Sequence, residues 1–298
     1  MFPEARVEAC EMTEGRAYDP TIYRGSGAHY ARGRPAYSAE LASTLASEVL
    51  LDGRGRLLDV GCGPGTLINQ LAGFFSAAVG LDPDAEMLAE ASRLAGEAGI
   101  RNVEWLEART EDIPLLDLGV FRLVTFGQSF HWTDRERTAE SVYELLEPGG
   151  ALALIVHTHA GRPQPVGPGH PPIPHAEIRA LISRYLGPRL RAGRGYSSPP
   201  PDRYQDALKR TRFGAPRVLF APGRADIVQD ADGVLSNYYS MSFAAPHLFG
   251  DNLEAFERDV RAVLAAQSPT GLFWDWPGDT EILLATKSAS RTGSRLQT

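Results

Sequence analysis

The residues that can do chemistry gather in three short runs of this sequence. The first, Leu57-Leu58-Asp59-Val60-Gly61-Cys62-Gly63-Pro64-Gly65-Thr66, carries an apolar stretch into alternating glycines. A dinucleotide fingerprint needs Gly-x-Gly-x-x-Gly so that backbone amides meet a pyrophosphate at a helix start, and here Thr66 stands at its last position. Alternating glycines instead let the turn lie flat against a bulky uncharged nucleoside and its amino-acid tail. The plainer alternative is a tight strand-to-helix turn that binds nothing.

The second run, Gly80-Leu81-Asp82-Pro83-Asp84, sets a carboxylate 23 residues after Asp59, one strand-helix-strand step on. Its two oxygens can accept from both hydroxyls of a ribose. Capping of the next helix is the competing role, and Asp84 is better placed for that. The third run, Phe126-Gly127-Gln128-Ser129-Phe130-His131-Trp132, offers His131 as a general base for a hydroxyl acceptor, or as a packing residue. His157, His159, His170 and His175 are too irregularly spaced, and too far from any carboxylate cluster, to predict a metal; they read as loop histidines near a pocket rim. Trp274-Asp275-Trp276 and Tyr238-Tyr239 read as core aromatics rather than acceptor contacts.

These runs need a scaffold that presents them together. From Gly55 to about Val156, short apolar runs alternate with amphipathic ones, the signature of a parallel sheet with helical crossovers. Strands are predicted at Arg56–Val60, Ala77–Leu81, Val103–Glu107, Leu123–Gly127 and Ala151–Val156. Asp84 is the predicted N-cap of a helix that Gly99 stops, and Thr133 or Asp134 caps another. Glu147-Pro148-Gly149-Gly150 predicts a turn before the last of these strands.

Beyond His157 the Pro- and Gly-rich run Gly161–Pro174 breaks the pattern and begins an insertion. Its helices are expected at Ala176–Tyr185, Ala225–Met241 and Leu253–Ala266, with a mobile-looking stretch at Gly193–Pro201. Arg217–Phe220 and Thr280–Thr286 are expected to return to the sheet edge as a terminal antiparallel pair. The expected division is therefore a loosely ordered 1–20, a helical cap at 21–54, a core at 55–157, a lid and substrate region at 158–279 with an edge strand near 217–220, a terminal core strand at 280–287 and a flexible tail at 288–298.

Composition narrows the partners. With 37 acidic against 30 basic residues, the net charge of −7 opposes nucleic acid and anionic membrane, which favours a small molecule. Two cysteines, Cys10 and Cys62, argue against a disulfide framework. No basic-then-apolar leader and no membrane-length apolar run is present, so a soluble, cytoplasmic protein is expected. Oligomeric state is not legible.

The run Leu57–Val156 resembles class I S-adenosylmethionine-dependent methyltransferases, in particular the type 11 subgroup that includes enzymes similar to trans-aconitate methyltransferase. The resemblance implies an α/β Rossmann-like sheet, mostly parallel with an antiparallel edge strand, carrying an inserted, mainly helical lid. It implies S-adenosylmethionine as cofactor, the methionine part lying on Asp59, Gly61, Cys62, Gly63 and Gly65, with Gln128 beside it. Asp82 would bind ribose, flanked by Pro83 and Met87, and Thr110, Glu111 and Asp112 would line the adenine. The family often has Asp where Arg109 stands, so Glu111 or backbone would take over that contact. Tyr30 and Arg34, in Tyr30-Ala31-Arg32-Gly33-Arg34-Pro35, resemble the segment that closes over the cofactor: the aromatic faces the sulfonium and the guanidinium pairs with the carboxylate. Ser240–Gly250 resembles the lid of bacterial relatives that often act on specialised metabolites. The implied activity is methyl transfer to a small-molecule acceptor, O-methylation of a carboxylate or hydroxyl first. The alternative is a cofactor-binding regulator or scaffold that transfers nothing.

Overall fold

The computed structural model describes residues 19, 21–159, 165–192, 195–196 and 202–289. The expected loose N-terminus apart from Asp19, most of the stretch 193–201 and the tail beyond 289 lie outside the described residues. A cap of α1 (Gly27–Gly33) and α2 (Ala39–Glu48) comes first. The core follows as β1 (Arg56–Val60), α3 (Ile68–Leu71), β2 (Ala77–Asp82), α4 (Ala85–Glu97), β3 (Val103–Glu107), β4 (Phe121–Gly127), α5 (Arg135–Leu145) and β5 (Leu146–Thr158). Then come α6 (His175–Leu186), β6 (Arg191–Ala192), β7 (Gly195–Tyr196), α7 (Tyr204–Lys209), β8 (Arg217–Ala221), β9 (Ile227–Asp230), α8 (Ala231–Tyr239), α9 (Leu253–Gln267), β10 (Leu272–Asp275) and β11 (Asp279–Thr286).

One sheet of order β3-β2-β1-β4-β5-β11-β8 organises the molecule. Its first five strands are mutually parallel, β11 runs against β5, and β8 runs against β11. The sheet is thus mostly parallel with one antiparallel strand, and β11 and β8 close its edge as the expected antiparallel pair, the reversed strand β11 lying next to the edge strand β8. Successive residues of each central strand feed opposite faces: Leu58, Val124, Leu152 and Leu154 join a cluster under α5 and α7, while Leu57, Leu123, Ala153 and Ile155 join one under α2 and α3. Burial on both faces is why these strands read as continuous apolar runs.

Two expectations change. The predicted turn at 147–150 is a bulge within β5, where pairing jumps from Phe121↔Leu146 to Leu123↔Ala151. Lys287 holds that region from the neighbouring strand: its Nζ donates to the Tyr143 and Leu146 carbonyls at 2.8 and 2.7 Å, closing the C-terminus of α5. The helix expected from Ala225 starts only at Ala231 and ends at Tyr239, because Asp230 caps it through the Gly233 amide at 2.7 Å. The β-branched Ile227-Val228 before that cap instead pair with Asp275 and Trp274.

The insertion buries a cluster of its own, in which Ile178 and Ile182 of α6, Val234 and Tyr238 of α8, and Phe256 and Val260 of α9 meet Phe273 of β10. It grips the cap directly. A Cβ on Gly33 would lie 2.1 Å from the Asn237 amide nitrogen, so only glycine lets α1 approach α8 this closely. Ser26 Oγ donates to the Tyr239 carbonyl at 2.8 Å, and Gln229 Nε2 to the Gly33 carbonyl at 2.8 Å. Among the described residues, no helix is long and apolar enough to cross a membrane.

Candidate functional site

The strand order changes direction between β1 and β4, and open α/β sheets hold ligands beyond the carboxyl ends of their strands at such a point. A cavity of about 720 Å³ lies there. Its wall joins Asp59, Gly61 and Cys62 of the first turn to Tyr30 and Arg34 of the cap, Gln128 and His131 beyond β4, and Trp274 and Trp276 of the insertion.

The glycine-rich turn folds back on the next strand. Both Gly61 and Cys62 donate their amides to the Leu81 carbonyl, at 2.7 and 3.1 Å. Gly61 has φ +65°, and an added Cβ would meet that of Ser129 at 2.6 Å, so this position has no room for a side chain. Ser129 itself donates to the Val60 carbonyl at 2.6 Å, tying the end of β4 to the end of β1. Gly63 has φ +53°, but an added Cβ there meets open space. The Gly63 amide donates to Asp82 Oδ2 at 2.8 Å, and the Asp84 amide to Asp82 Oδ1 at 3.0 Å. Asp84 caps α4 by accepting from the Glu86 and Met87 amides, as its position suggests, while Asp82 accepts from the Gly63 and Asp84 amides.

Two carboxyls here are buried and pushed up. Asp59 rises to about 7 because burial outweighs the hydrogen bond from Thr125 Oγ1, 2.7 Å away. Burial lifts Asp82 to about 6 against the two amides it accepts from. Cys62 is buried too, and burial with the adjacent acids holds its thiol well above its ordinary range.

Other predicted residues stand apart from the cavity. Gly63, Gly65, Asp82, Pro83, Met87, Thr110, Glu111 and Asp112 are not in its wall, although they follow the carboxyl ends of β1, β2 and β3 along the same sheet edge. Asp112 accepts from the Arg109 amide at 2.9 Å, and Glu111 pairs with the Arg109 guanidinium at 3.3 Å. The arginine that replaces the usual acid thus engages the carboxylate expected to compensate for it. Met87 is buried in the face of α4.

On the other side of the cavity, Arg34 lies over the Tyr30 ring at 5.1 Å, so one face of that ring already carries a cation. Arg34 reaches the Ser240 carbonyl at 3.4 Å, and its Nε is buried with no partner among the described residues. Gln128 adopts φ +58°, a left-handed conformation unusual outside glycine, held by its amide on the Ile155 carbonyl at 3.0 Å. His131 sits in a short 3-10 turn against Trp132, and burial together with Arg34 pushes it down to about 4.

His157 was read from sequence as a loop residue; it lies in β5, stacks on Tyr37 at 5.0 Å and is likewise pushed down to about 4. The strand's alternation, carried one residue past Val156, was the signal. Trp274 and Trp276, taken as core, are both buried and part of the wall. Tyr204 and Arg179 are wall residues with no sequence signal of their own.

Residues 57–150 match the family model described as a methyltransferase domain. That segment is similar to the class I S-adenosylmethionine-dependent methyltransferases. The chain is 35% identical to an uncharacterized methyltransferase of Mycobacterium tuberculosis over 133 residues, 45% of the chain and 51% of the relative. It thus spans about half that relative's length. It is 27% identical to the 2-heptyl-1-hydroxyquinolin-4(1H)-one methyltransferase of Mycobacteroides abscessus over 168 residues, 55% of the chain and 73% of the relative. Among solved structures, the cyclase SpnF superposes with a TM-score of 0.50 at 16% identity, covering 91% of this chain and 94% of that one, a likeness of fold.

Proposed function

We propose that this protein is a methyltransferase that moves the methyl group of S-adenosylmethionine to a hydroxyl or carboxylate oxygen of a small organic acceptor. The observation that carries the reading is a continuous cavity of about 720 Å³ running from the glycine-rich turn to the aromatics of the insertion. That volume falls within the roughly 300–1,000 Å³ of ligand clefts.

The chain's own groups fit the cofactor. Arg34 offers a buried guanidinium nitrogen without a partner among the described residues, a site for an amino-acid carboxylate. Gly63 leaves open space where a side chain would stand. Asp59 lies at the same end of the cavity, and Asp82, behind the turn, keeps lone pairs for hydroxyl donors. The bound cofactor supplies a methyl already activated on a sulfonium, so the protein chiefly aligns and desolvates. Trp132, Trp274 and Trp276 offer apolar faces to an acceptor, and the net charge of −7 favours a small acceptor over nucleic acid.

The test is transfer itself. Methyl-labelled S-adenosylmethionine is incubated with hydroxyaromatic and carboxylic acids, including the hydroxyquinolone that names the Mycobacteroides relative. Label should pass to oxygen of at least one acceptor; cofactor binding with no transfer to any would make the protein a binding module instead.

A further inference from the structure

Three elements of the insertion bring one polar chain together. His175 opens α6, Tyr238 lies in α8 and Asp275 ends β10. His175 Nδ1 is 2.7 Å from the Tyr238 hydroxyl, and its Nε2 is 3.5 Å from Asp275 Oδ1. A carboxylate only accepts, so the imidazole nitrogen facing it carries the hydrogen. Nδ1 is then the acceptor of the Tyr238 O–H. All three residues belong to the cavity wall. Exposure grades along the chain: Tyr238 is 2% exposed, while the side chains of Asp275 and His175 are 11% and 46% exposed. The series therefore leads from buried wall to a solvent-facing ring. His131 has no hydrogen bond to its ring among the described residues, so nothing orients it in the same way.

We propose that Tyr238, His175 and Asp275 form a proton exit on the acceptor side of the cavity, which takes the proton of a hydroxyl acceptor. This rests on the transferase reading above. The acceptor O–H proton passes to the Tyr238 oxygen while the Tyr238 proton moves to His175 Nδ1, and the acceptor oxygen keeps the electron pair of its former O–H bond. Tyr238 ends neutral, as it began. The imidazolium charge faces the Asp275 carboxylate, and the exposed ring returns its proton to water. Burial pushes the Tyr238 phenol well above its ordinary value, which suits a neutral relay rather than a phenolate base. The other charged groups near this chain are Glu177 and Arg179 of α6, and across Asp275 lies His157 of β5.

The probe is 4-nitrophenol, whose phenolate absorbs visibly, added to protein saturated with S-adenosylhomocysteine at a pH about one unit below the probe's own pKa. Saturation is established first by calorimetry. Wild-type protein should bind the probe as phenolate. Tyr238→Phe and His175→Gln should each lower that signal by about tenfold or more, equivalent to a pKa unit, with unchanged S-adenosylhomocysteine affinity and thermal melting. Persistence of the signal in both variants overturns the relay, as does its absence in wild-type protein that binds S-adenosylhomocysteine. No S-adenosylhomocysteine binding at all overturns the cofactor reading, and the relay with it. Nitrogen-proton NMR gives a second readout without any acceptor: the His175 ring should carry its hydrogen on Nε2, and a hydrogen on Nδ1 contradicts the proposed chain.

Discussion

Gly63 donates its amide to Asp82 at 2.8 Å, joining the turn after β1 to the acid that ends β2. A position that needs no side chain and one that needs a carboxylate are thereby a single unit. The acid fixes the turn, and the turn leaves the acid's remaining lone pairs available to a ligand.

Asp82→Ala should therefore weaken S-adenosylhomocysteine binding by roughly 10- to 100-fold, the loss of charge-assisted hydrogen bonds worth about 1.5–3 kcal/mol. Calorimetry on the folded variant reads this directly. An affinity equal to wild type would remove Asp82 from the cofactor site.

The same acid sets a pH dependence. Asp82 titrates at about 6 in the unliganded fold, and hydroxyl donors favour its ionised form. S-adenosylhomocysteine affinity should rise with pH up to about 6 and level off above it, and binding at pH 5 should release a proton. Calorimetry at pH 5 in two buffers of different ionisation enthalpy measures that release; proton uptake or none at all would refute it. Melting curves are a poorer guide here. Carboxyls raised to about 6 and 7 favour folding less as pH climbs past their ordinary range, whereas His131 and His157, held near 4, favour it more as pH climbs towards their ordinary range.

Two glycines of one turn should fail differently. Gly61→Ala forces a side chain at φ +65° against Ser129, so it should cost about 1–3 kcal/mol of stability and lower the melting temperature. Gly63→Ala meets no atom of the fold, so its strain is about 1–2 kcal/mol, but its methyl enters the open space beside the turn. It should cost cofactor affinity by about tenfold or more, one pKa-unit equivalent in energy. Wild-type affinity in a folded Gly63→Ala protein would contradict the placement of the cofactor there.

His131→Ala should slow turnover of a hydroxyl acceptor by less than roughly 100-fold, because its ring has no hydrogen-bonding partner among the described residues and lines the wall beside Trp132. A larger fall at unchanged acceptor binding would make it the base.

The parallel core was readable because its determinants are local. The strands alternate between two buried faces, Asp84 caps α4, and Gly99 takes φ +74° just past that helix. Which of the two terminal strands runs against the rest was less legible, since the run Asp279–Thr286 looks the same in either direction, and only its pairing with β5 and β8 decides. The start of α8 was not legible, because apolar periodicity crosses Ile227–Asp230 without showing that those residues pair with β10. On the cofactor side, glycine spacing and the distance from Asp59 to Asp82 carried the reading. On the acceptor side, His175, Tyr238 and Asp275 are 37 residues or more apart along the chain and meet only through the packing of the insertion.

A calorimetric titration with S-adenosylhomocysteine, run beside one with NAD, tests the central claim most directly. The account predicts saturable heat at one site per chain with the first and none with the second. No heat with S-adenosylhomocysteine, or displacement of it by NAD, would contradict it.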